Sequence, residues 1–411
     1  MADADAQSAP AANGNGAPKR RGKTKRKHTV GKVLLATTLV LALGTGLSVV
    51  YLYRHLNGNL DVIDVTDQLE NRPDKERAEG PAEPLNVLVM GSDDRDGEGN
   101  NIDNQELGSN DRSDTTILMH LSADRQRAYG ISIPRDSLVT RPDCEGENGE
   151  TIPGGERVFW NEAFALGGPA CTIQQFEQIT GVYVDHYVVV DFAGFEGMVD
   201  AIGGVPVCIP EDIYDPTHGI NIPAGTREIE GREALNYVRA RYTLGDGSDL
   251  GRIKRQQAFI AAMVNKVMSA GTLARFDRLV GFLDAATASL QTDLESVVKI
   301  ARIGMGFQGI GMDNIQFVTV PWEYDEIDPN RVAWKPEADK LWEKIAADEP
   351  LTKRLTSDAI TAAAPPGQKP KKDPSAGPSG GPSAEPSTEP STTPEPDQEA
   401  AAQAAANGLC A

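Results

Sequence analysis

The sequence predicts an α/β domain of three layers, helices on both faces of a central, mostly mixed sheet, preceded by one transmembrane helix. Three observations predict it. From residue 85 onward, short apolar runs of strand character alternate with longer runs of helical periodicity. Residues 33–53, VLLATTLVLALGTGLSVVYLY, carry no charge over a length that crosses a bilayer core. Charged motifs follow the ends of the apolar runs, where α/β sheets place their ligands.

The chain has 411 residues and a formal net charge of -20. Residues 1–32 hold eight Lys and Arg against Asp3 and Asp5, a charge of +6 that leaves -26 for the rest. This basic flank is expected to stay cytoplasmic, with everything after Tyr53 outside the cell membrane. A cleaved signal peptide is the rival reading, but its apolar stretch is usually only ~7–15 residues. Here the run is longer, and Tyr51 and Tyr53 suit an interfacial anchor. The acidic body argues against nucleic acid, whose binders need a basic footprint.

Residues 54–84 are polar, with Pro73, Pro81 and Pro84, and read as a stalk. The extracytoplasmic domain is expected at 85–350. Strands are predicted at 85–90, 116–121 and 128–133, then helices at 161–166 and 171–179. A strand at 186–190 and a helix at 192–202, closed by Gly203-Gly204, precede another strand at 205–209. A helix starts at Arg232, and a long one covers 251–268 with Ile253, Phe259, Ile260, Met263 and Val264 at helical spacing. Helices at 273–290 and 294–306, a strand at 315–320 and a helix at 336–347 complete the order. Pro, Ser, Gly, Glu and Ala dominate from about residue 365, and the tail, 351–411, is expected to be disordered.

Five motifs carry the chemistry. Asp93, Asp94 and Arg95 follow the first strand and its Gly91, a residue that lets backbone approach a ligand closely. Arg112 and Asp114 precede the second strand, and extended alternation puts them on one face. With Asp93, Asp114 makes a carboxylate pair of the kind magnesium takes together with phosphate oxygens and water. Arg135 and Asp136 end the third strand. Arg239 and Arg241 share a face if extended, where like charges repel unless an anion lies between them. Arg252, Arg255 and Gln256 share a helical face near a helix N-terminus, which suits phosphate. Any one motif also reads as a solvated face or a local ion pair. Five of them in one domain point to a pyrophosphate, held by guanidinium forks and a divalent cation.

The five histidines show no ligand spacing, and the cysteines no zinc spacing. There is no GxSxG elbow within 85–350, and no HExxH or GxxxxGK[ST] in the chain. In an external compartment Cys144 and Cys171 are candidates for a disulfide. Cys208, in the apolar run VPVCI, is expected as a buried free thiol, and Cys410 carries no expectation.

The blocks NVLVMGSDDR, RSDTTILMHLS, ISIPRDSLV, NEAFALGGPACT and ALNYVRARYTLGDGSDLGRIKRQQAFI resemble the LytR–CpsA–Psr family of cell-envelope glycopolymer ligases. The resemblance covers roughly residues 85–268. It implies a phosphotransferase that moves a glycan phosphate from a polyprenyl-pyrophosphate carrier to a peptidoglycan sugar hydroxyl, with magnesium (Mg2+), in cell wall assembly. It implies a metal role for Asp93 and Asp114. Pyrophosphate-side roles fall to Arg95, Arg112, Arg135, Arg239, Arg241, Arg252 and Gln256. Asp94 and Asp136 are the candidates for orienting or deprotonating the acceptor hydroxyl. Two alternatives stay open: a non-catalytic polyprenyl-phosphate scaffold, and a pyrophosphatase using water at the same site. The chain departs from the family pattern in a longer segment at 96–111, a candidate lid. Phe159-Trp160-Asn161 stands where the family often has Lys-Ile-Asn. The family's second cysteine after the Cys208 strand is also missing, which favours Cys144–Cys171 as the bridge.

Overall fold

The computed structural model describes residues 29–75, 82–93, 113–146, 148–216, 219–240, 248–269, 275–367 and 404–410. They divide into two units, one ending at Leu52 and the other starting at Tyr53. The charge-free run lies in helix α1 (Thr29–Asn59). Its stretch Val30–Asn59, with a mean hydropathy of 2.2, is long and apolar enough to cross a membrane. Leu34, Leu39 and Leu43 present their side chains outward, a surface compatible with a single-pass anchor in lipid.

In the second unit the strands are β1 (Asp61–Val62), β2 (Leu85–Ser92), β3 (Ser113–Leu121), β4 (Ala128–Ile133), β5 (Leu138–Arg141), β6 (Cys144–Glu145), β7 (Thr151–Ile152), β8 (Gly155–Phe159), β9 (His186–Val190), β10 (Val205–Ile209), β11 (Ile213–Asp215), β12 (Ile220–Ile222), β13 (Gly225–Ile229), β14 (Leu290–Thr292), β15 (Ile315–Thr319), β16 (Trp322–Tyr324), β17 (Val332–Trp334) and β18 (Ile360–Thr361). The helices are α2 (Glu162–Thr180), α3 (Phe192–Ala201), α4 (Gly231–Arg239), α5 (Asp249–Met268), α6 (Phe276–Ser289), α7 (Val297–Gly306) and α8 (Glu337–Ala346).

Eight strands form one mixed sheet in the order β1-β14-β9-β2-β3-β4-β15-β18. β2 is parallel to β9 and antiparallel to β3, which is antiparallel to β4, and β4 is parallel to β15. The carboxyl ends of β2, β4, β9 and β15 therefore gather on one sheet edge, together with the amino end of β3. A period of two sorts the side chains between two cores. On one face Tyr129, Ile131 and Ile133 of β4 meet Phe176 of α2 and Trp342 of α8. The Phe176 and Trp342 rings cross edge-on at 5.4 Å. On the other face Phe317 packs with Ala258 and Ala261 of α5. These two packed faces are the α-β-α layering expected from the sequence. A third core lies between the β10–β13 hairpin and α3, α4 and α5.

Gly130 is dictated by this packing. A Cβ there would stand 2.4 Å from Cδ1 of the fully buried Phe317. The two helices expected at 161–166 and 171–179 form one element, α2, kinked at Gly167 (φ -141°) and Gly168 (φ 57°) just ahead of Pro169.

Three expectations are corrected. The stalk at 54–84 belongs to the domain as far as residue 75. Leu56 and Val65 are buried, and β1 pairs with β14. Arg72 grips the buried Glu177 and donates to the Val184 carbonyl. The tail expected to be disordered over 351–411 is ordered at residues 351–367 and 404–410. Leu351 and Leu355 pack on the main core, and β18 extends the sheet beside β15. Residues 368–403 lie outside the described residues. Cys208 is no free thiol: it is bonded to Cys410, while Cys144 is bonded to Cys171 as expected. The segment around Cys410 is held in place by Leu409, which is buried with Ala258 and Phe317.

Candidate active site

At the edge where the parallel strands end, β2 leads into Asp93, and β3 begins with Ser113 and Asp114. The register slips between Gly91–Thr115 and Ser92–Ser113, leaving Asp114 as the extra residue of a bulge. A bulge re-aims its side chain. Asp114 accepts from Nη1 of Arg135, two residues past the end of β4. Its other carboxylate oxygen is 3.5 Å from Arg252 Nη1, and its backbone carbonyl accepts from Arg252 Nη2 at 3.2 Å.

Arg252 arrives from the first turn of α5. Ser248 caps that helix, its hydroxyl accepting from the Gly251 N–H at 3.1 Å. Asp249 in the same turn lies 2.7 Å from Arg252 Nη2 and 3.2 Å from Arg135 Nε. Asp114 and Asp249 thus bridge two guanidinium groups carried by different elements. The Arg252 side chain is 2% exposed and that of Arg135 16%. Burial works against the Arg135 charge, but Asp114 and Asp249 more than offset it and hold its pKa above the ordinary value.

Arg255 is fully buried and donates to the Ala240 carbonyl, while Gln256 donates to Val238 at 3.2 Å. Both expected phosphate-side residues therefore bind the carbonyl end of α4. Arg239 closes α4, its guanidinium carbon 4.7 Å from the centroid of the Phe192 ring just past β9. The extended geometry expected for Arg239 beside Arg241 does not hold at Arg239, which is helical. Asp136 accepts from Arg331 at 3.3 Å, and Arg331 stacks 4.3 Å over Phe159. Asp94, Arg95, Arg112 and Arg241 lie outside the described residues, as does the candidate lid at 96–111.

The structure thus joins Arg135, Arg252 and Asp114 directly, with Asp93 one residue past the strand that pairs with β3. Sequence reasoning missed Asp249 and Arg331. Asp249 had a signal: Ser248-Asp249 ahead of Arg252 is an N-cap, a first-turn acid and an i, i+3 pair. Arg331 gave none, because it meets Asp136 across 195 residues. Among the described residues no group of three or more His, Cys, Asp or Glu is placed to hold a metal ion. Asp93 and Asp114 offer two hard oxygen donors, a set that fits an ion arriving with phosphate oxygens rather than one caged by protein alone.

The carboxyl edge of the mixed sheet thus concentrates buried guanidinium and carboxylate groups where α/β sheets usually place ligands. Residues 52–347 match the LytR_cpsA_psr family, and the chain belongs to it. It is 34% identical over 258 residues to the cell wall biosynthesis protein LcpA of Corynebacterium glutamicum, over 57% of this chain and 49% of that protein. It therefore spans about half the length of that relative. The polyisoprenyl-teichoic acid–peptidoglycan teichoic acid transferase TagV of Bacillus subtilis is 26% identical over 292 residues, 69% of each chain. The TagV crystal structure superposes with a TM-score of 0.50 at 24% identity, over 65% of this chain and 98% of that one. A structure titled TagT bound to LI-WTA also gives 0.50, at 21% identity over 68% of this chain and 98% of that one. These likenesses show the fold.

Proposed function

We propose that the protein is a membrane-anchored phosphotransferase that moves a glycan phosphate from a polyprenyl-pyrophosphate carrier to a sugar hydroxyl of peptidoglycan. The single observation that carries this reading is the gathering of Arg135, Arg252, Asp114 and Asp249 at the carboxyl edge of the sheet. The names of the relatives support it: TagV is a teichoic acid transferase, and the TagT structure holds LI-WTA. Two disulfides suit an oxidising, extracytoplasmic compartment. The helix within Val30–Asn59 supports a single-pass anchor, with the basic segment 1–32 cytoplasmic. A donor confined to the bilayer plane then meets a tethered site at raised effective concentration.

In the proposed reaction the acceptor hydroxyl oxygen attacks the phosphorus nearer the glycan. A new P–O bond forms to the acceptor, and the bond to the bridging oxygen breaks. Polyprenyl phosphate leaves with that bond's electron pair, and the hydroxyl proton passes to a carboxylate, Asp94 or Asp136. The Arg135 and Arg252 forks stabilise the charge that moves onto the leaving phosphate. Asp249 and Asp114 hold both forks in register before the donor arrives. Asp93 and Asp114 would hold magnesium, which when bound neutralises phosphate oxygens. Arg95, Arg112, Arg239 and Arg241 complete the proposed phosphate side.

The test is glycan transfer from a purified lipid-linked donor to peptidoglycan by the full chain in detergent. Arg135→Ala is expected to lose at least about 2.7–4 kcal/mol of transition-state stabilisation, a hundredfold or more in rate. Arg135→Lys keeps the charge but not the fork and is expected to remain well below wild type. Unchanged turnover in both variants would reject the reading.

A further inference from the structure

We infer that the β16–β17 hairpin and the cavity beside it form a saccharide subsite that holds the acceptor glycan. This assignment rests on the transferase reading above. β15 is the neighbour of β4 in the sheet, about 5 Å away, so Trp322, three residues past Thr319, emerges on the same edge as Arg135. Three contacts fasten the hairpin to that edge: Arg331 to Asp136 at 3.3 Å, Arg157 to Asp325 at 2.9 Å, and a parallel bridge from Val332 to Ser137.

An open cavity of about 480 Å³ lies against it, lined by Trp322, Glu323, Tyr324, Lys335, Glu337 and Asp358 among others. That is the volume of a small-ligand cleft. Asp358 ties its far wall to α5, the Lys254 ammonium donating to the Asp358 carbonyl at 3.0 Å. Lys254 belongs to α5, the helix whose first turn carries Arg252.

The chemistry of the lining selects the ligand class. Trp322 and Tyr324 cross at 78° with centroids 5.3 Å apart, and Tyr324 is 56% exposed. An aromatic pair left open to solvent offers a flat, electron-rich face to the apolar C–H faces of a sugar ring. The surrounding carboxylates and ammonium are hydrogen-bond partners for hydroxyl and acetamido groups. A lipid tail would desolvate these charges without replacing their partners. Arg354 in the same lining is already spent on Glu337 at 2.7 Å and Asp358 is paired with Lys254, which leaves Glu323 and Lys335 to offset one another and no excess of cations to draw a phosphate. A glycan phosphate donor is anionic at its linkage, and an uncharged acetamido sugar strand is not. The pocket therefore fits the acceptor.

The test uses the full chain in detergent, with a soluble N-acetylglucosamine tetramer and inorganic pyrophosphate as separate probes. Tetramer binding is read by isothermal titration calorimetry in every variant; the other three tryptophans, Trp160, Trp334 and Trp342, pack in or on the core, so fluorescence quenching in wild type reports Trp322 as a second signal. Trp322→Ala and Tyr324→Ala are expected to weaken tetramer binding about tenfold or more, and Trp322→Phe to keep most of it. Pyrophosphate affinity is expected to stay within twofold of wild type in all three. In transfer assays the acceptor KM rises in Trp322→Ala while the donor KM does not. Tetramer binding equal to wild type in both alanine variants would overturn the subsite, even with transfer intact. Tetramer binding lost in Trp322→Ala, in a wild type that transfers nothing, would keep the subsite and overturn the transferase.

Discussion

Asp249→Ala isolates the electrostatics of the site. Asp249 stands between Arg135 and Arg252, and without it Asp114 still bridges the two guanidinium groups, with Asp136 beside Arg135. Breaking a fully buried ion pair costs ~3–5 kcal/mol. Asp249 and Arg135 are each 16% exposed, and Asp114 still faces both arginines, so the expected cost is about 2–3 kcal/mol. At roughly 2–4 °C per kcal/mol for a domain approaching this size, the melting midpoint falls by about 5–10 °C. Circular dichroism of the full chain in detergent measures it. The control is Asp277→Ala, which removes an exposed pair with Arg275, 67% and 54% accessible, and is expected to leave the midpoint in place. Inorganic pyrophosphate is expected to restore stability to Asp249→Ala more than to wild type, because the anion supplies the missing charge. A site filled at a hundred times Kd returns about 2.7 kcal/mol. An Asp249→Ala protein that melts with wild type, and ignores pyrophosphate, would refute the reasoning.

Two glycines are expected to respond with opposite signs. Gly130→Ala drives a methyl into Phe317 and is expected to cost about 1–3 kcal/mol in denaturant melts. Gly281→Ala, in α6 with its nearest neighbour 3.7 Å away, is expected to gain about 0.5–1 kcal/mol. Burial pushes the Tyr237 phenol up to about 12. The unfolded chain releases that proton near pH 10 and the folded one does not, so stability is complete below pH 10 and declines from there to about 12. Ultraviolet titration at alkaline pH is expected to find the Tyr237 phenol ionising only as the fold melts. Cys410→Ser opens a loop of 202 residues and Cys171→Ser one of 27. Chain entropy alone gives about 5 against about 3.5 kcal/mol, so the first is expected to be the more damaging in urea titrations.

The inner strands β2, β3 and β4 were legible because most of their side chains are buried, so each reads as an apolar block. β4, buried at all six positions, is the plainest. Their ends were legible because a charge beside such a block has few structural reasons to be there, which is how Asp114 and Arg135 stood out. The segment after Tyr53 read as a stalk because its attachments are long-range and polar. Arg72 meets Glu177 across 105 residues, and only isolated side chains such as Leu56 and Val65 go inside. Asp249 hid in a Gly, Asp and Ser loop that looks like any solvated turn until α5 lifts it between two arginines. Arg239 was misplaced because α4 runs one residue past Val238, the last apolar side chain in it. Trp322 and Tyr324 were passed over because a three-residue strand has too few alternations to register as a pattern.

Because Cys208 and Cys410 are joined, every peptide bond between those positions lies within a covalent ring. A protease nick anywhere in it, including the Pro- and Ser-rich stretch, adds one water and frees no fragment. Such a molecule keeps its full mass on a non-reducing gel and parts into two bands only after thiol is added. A single cut in that stretch therefore leaves residues 404–410, with the buried Leu409, bound to the rest of the molecule.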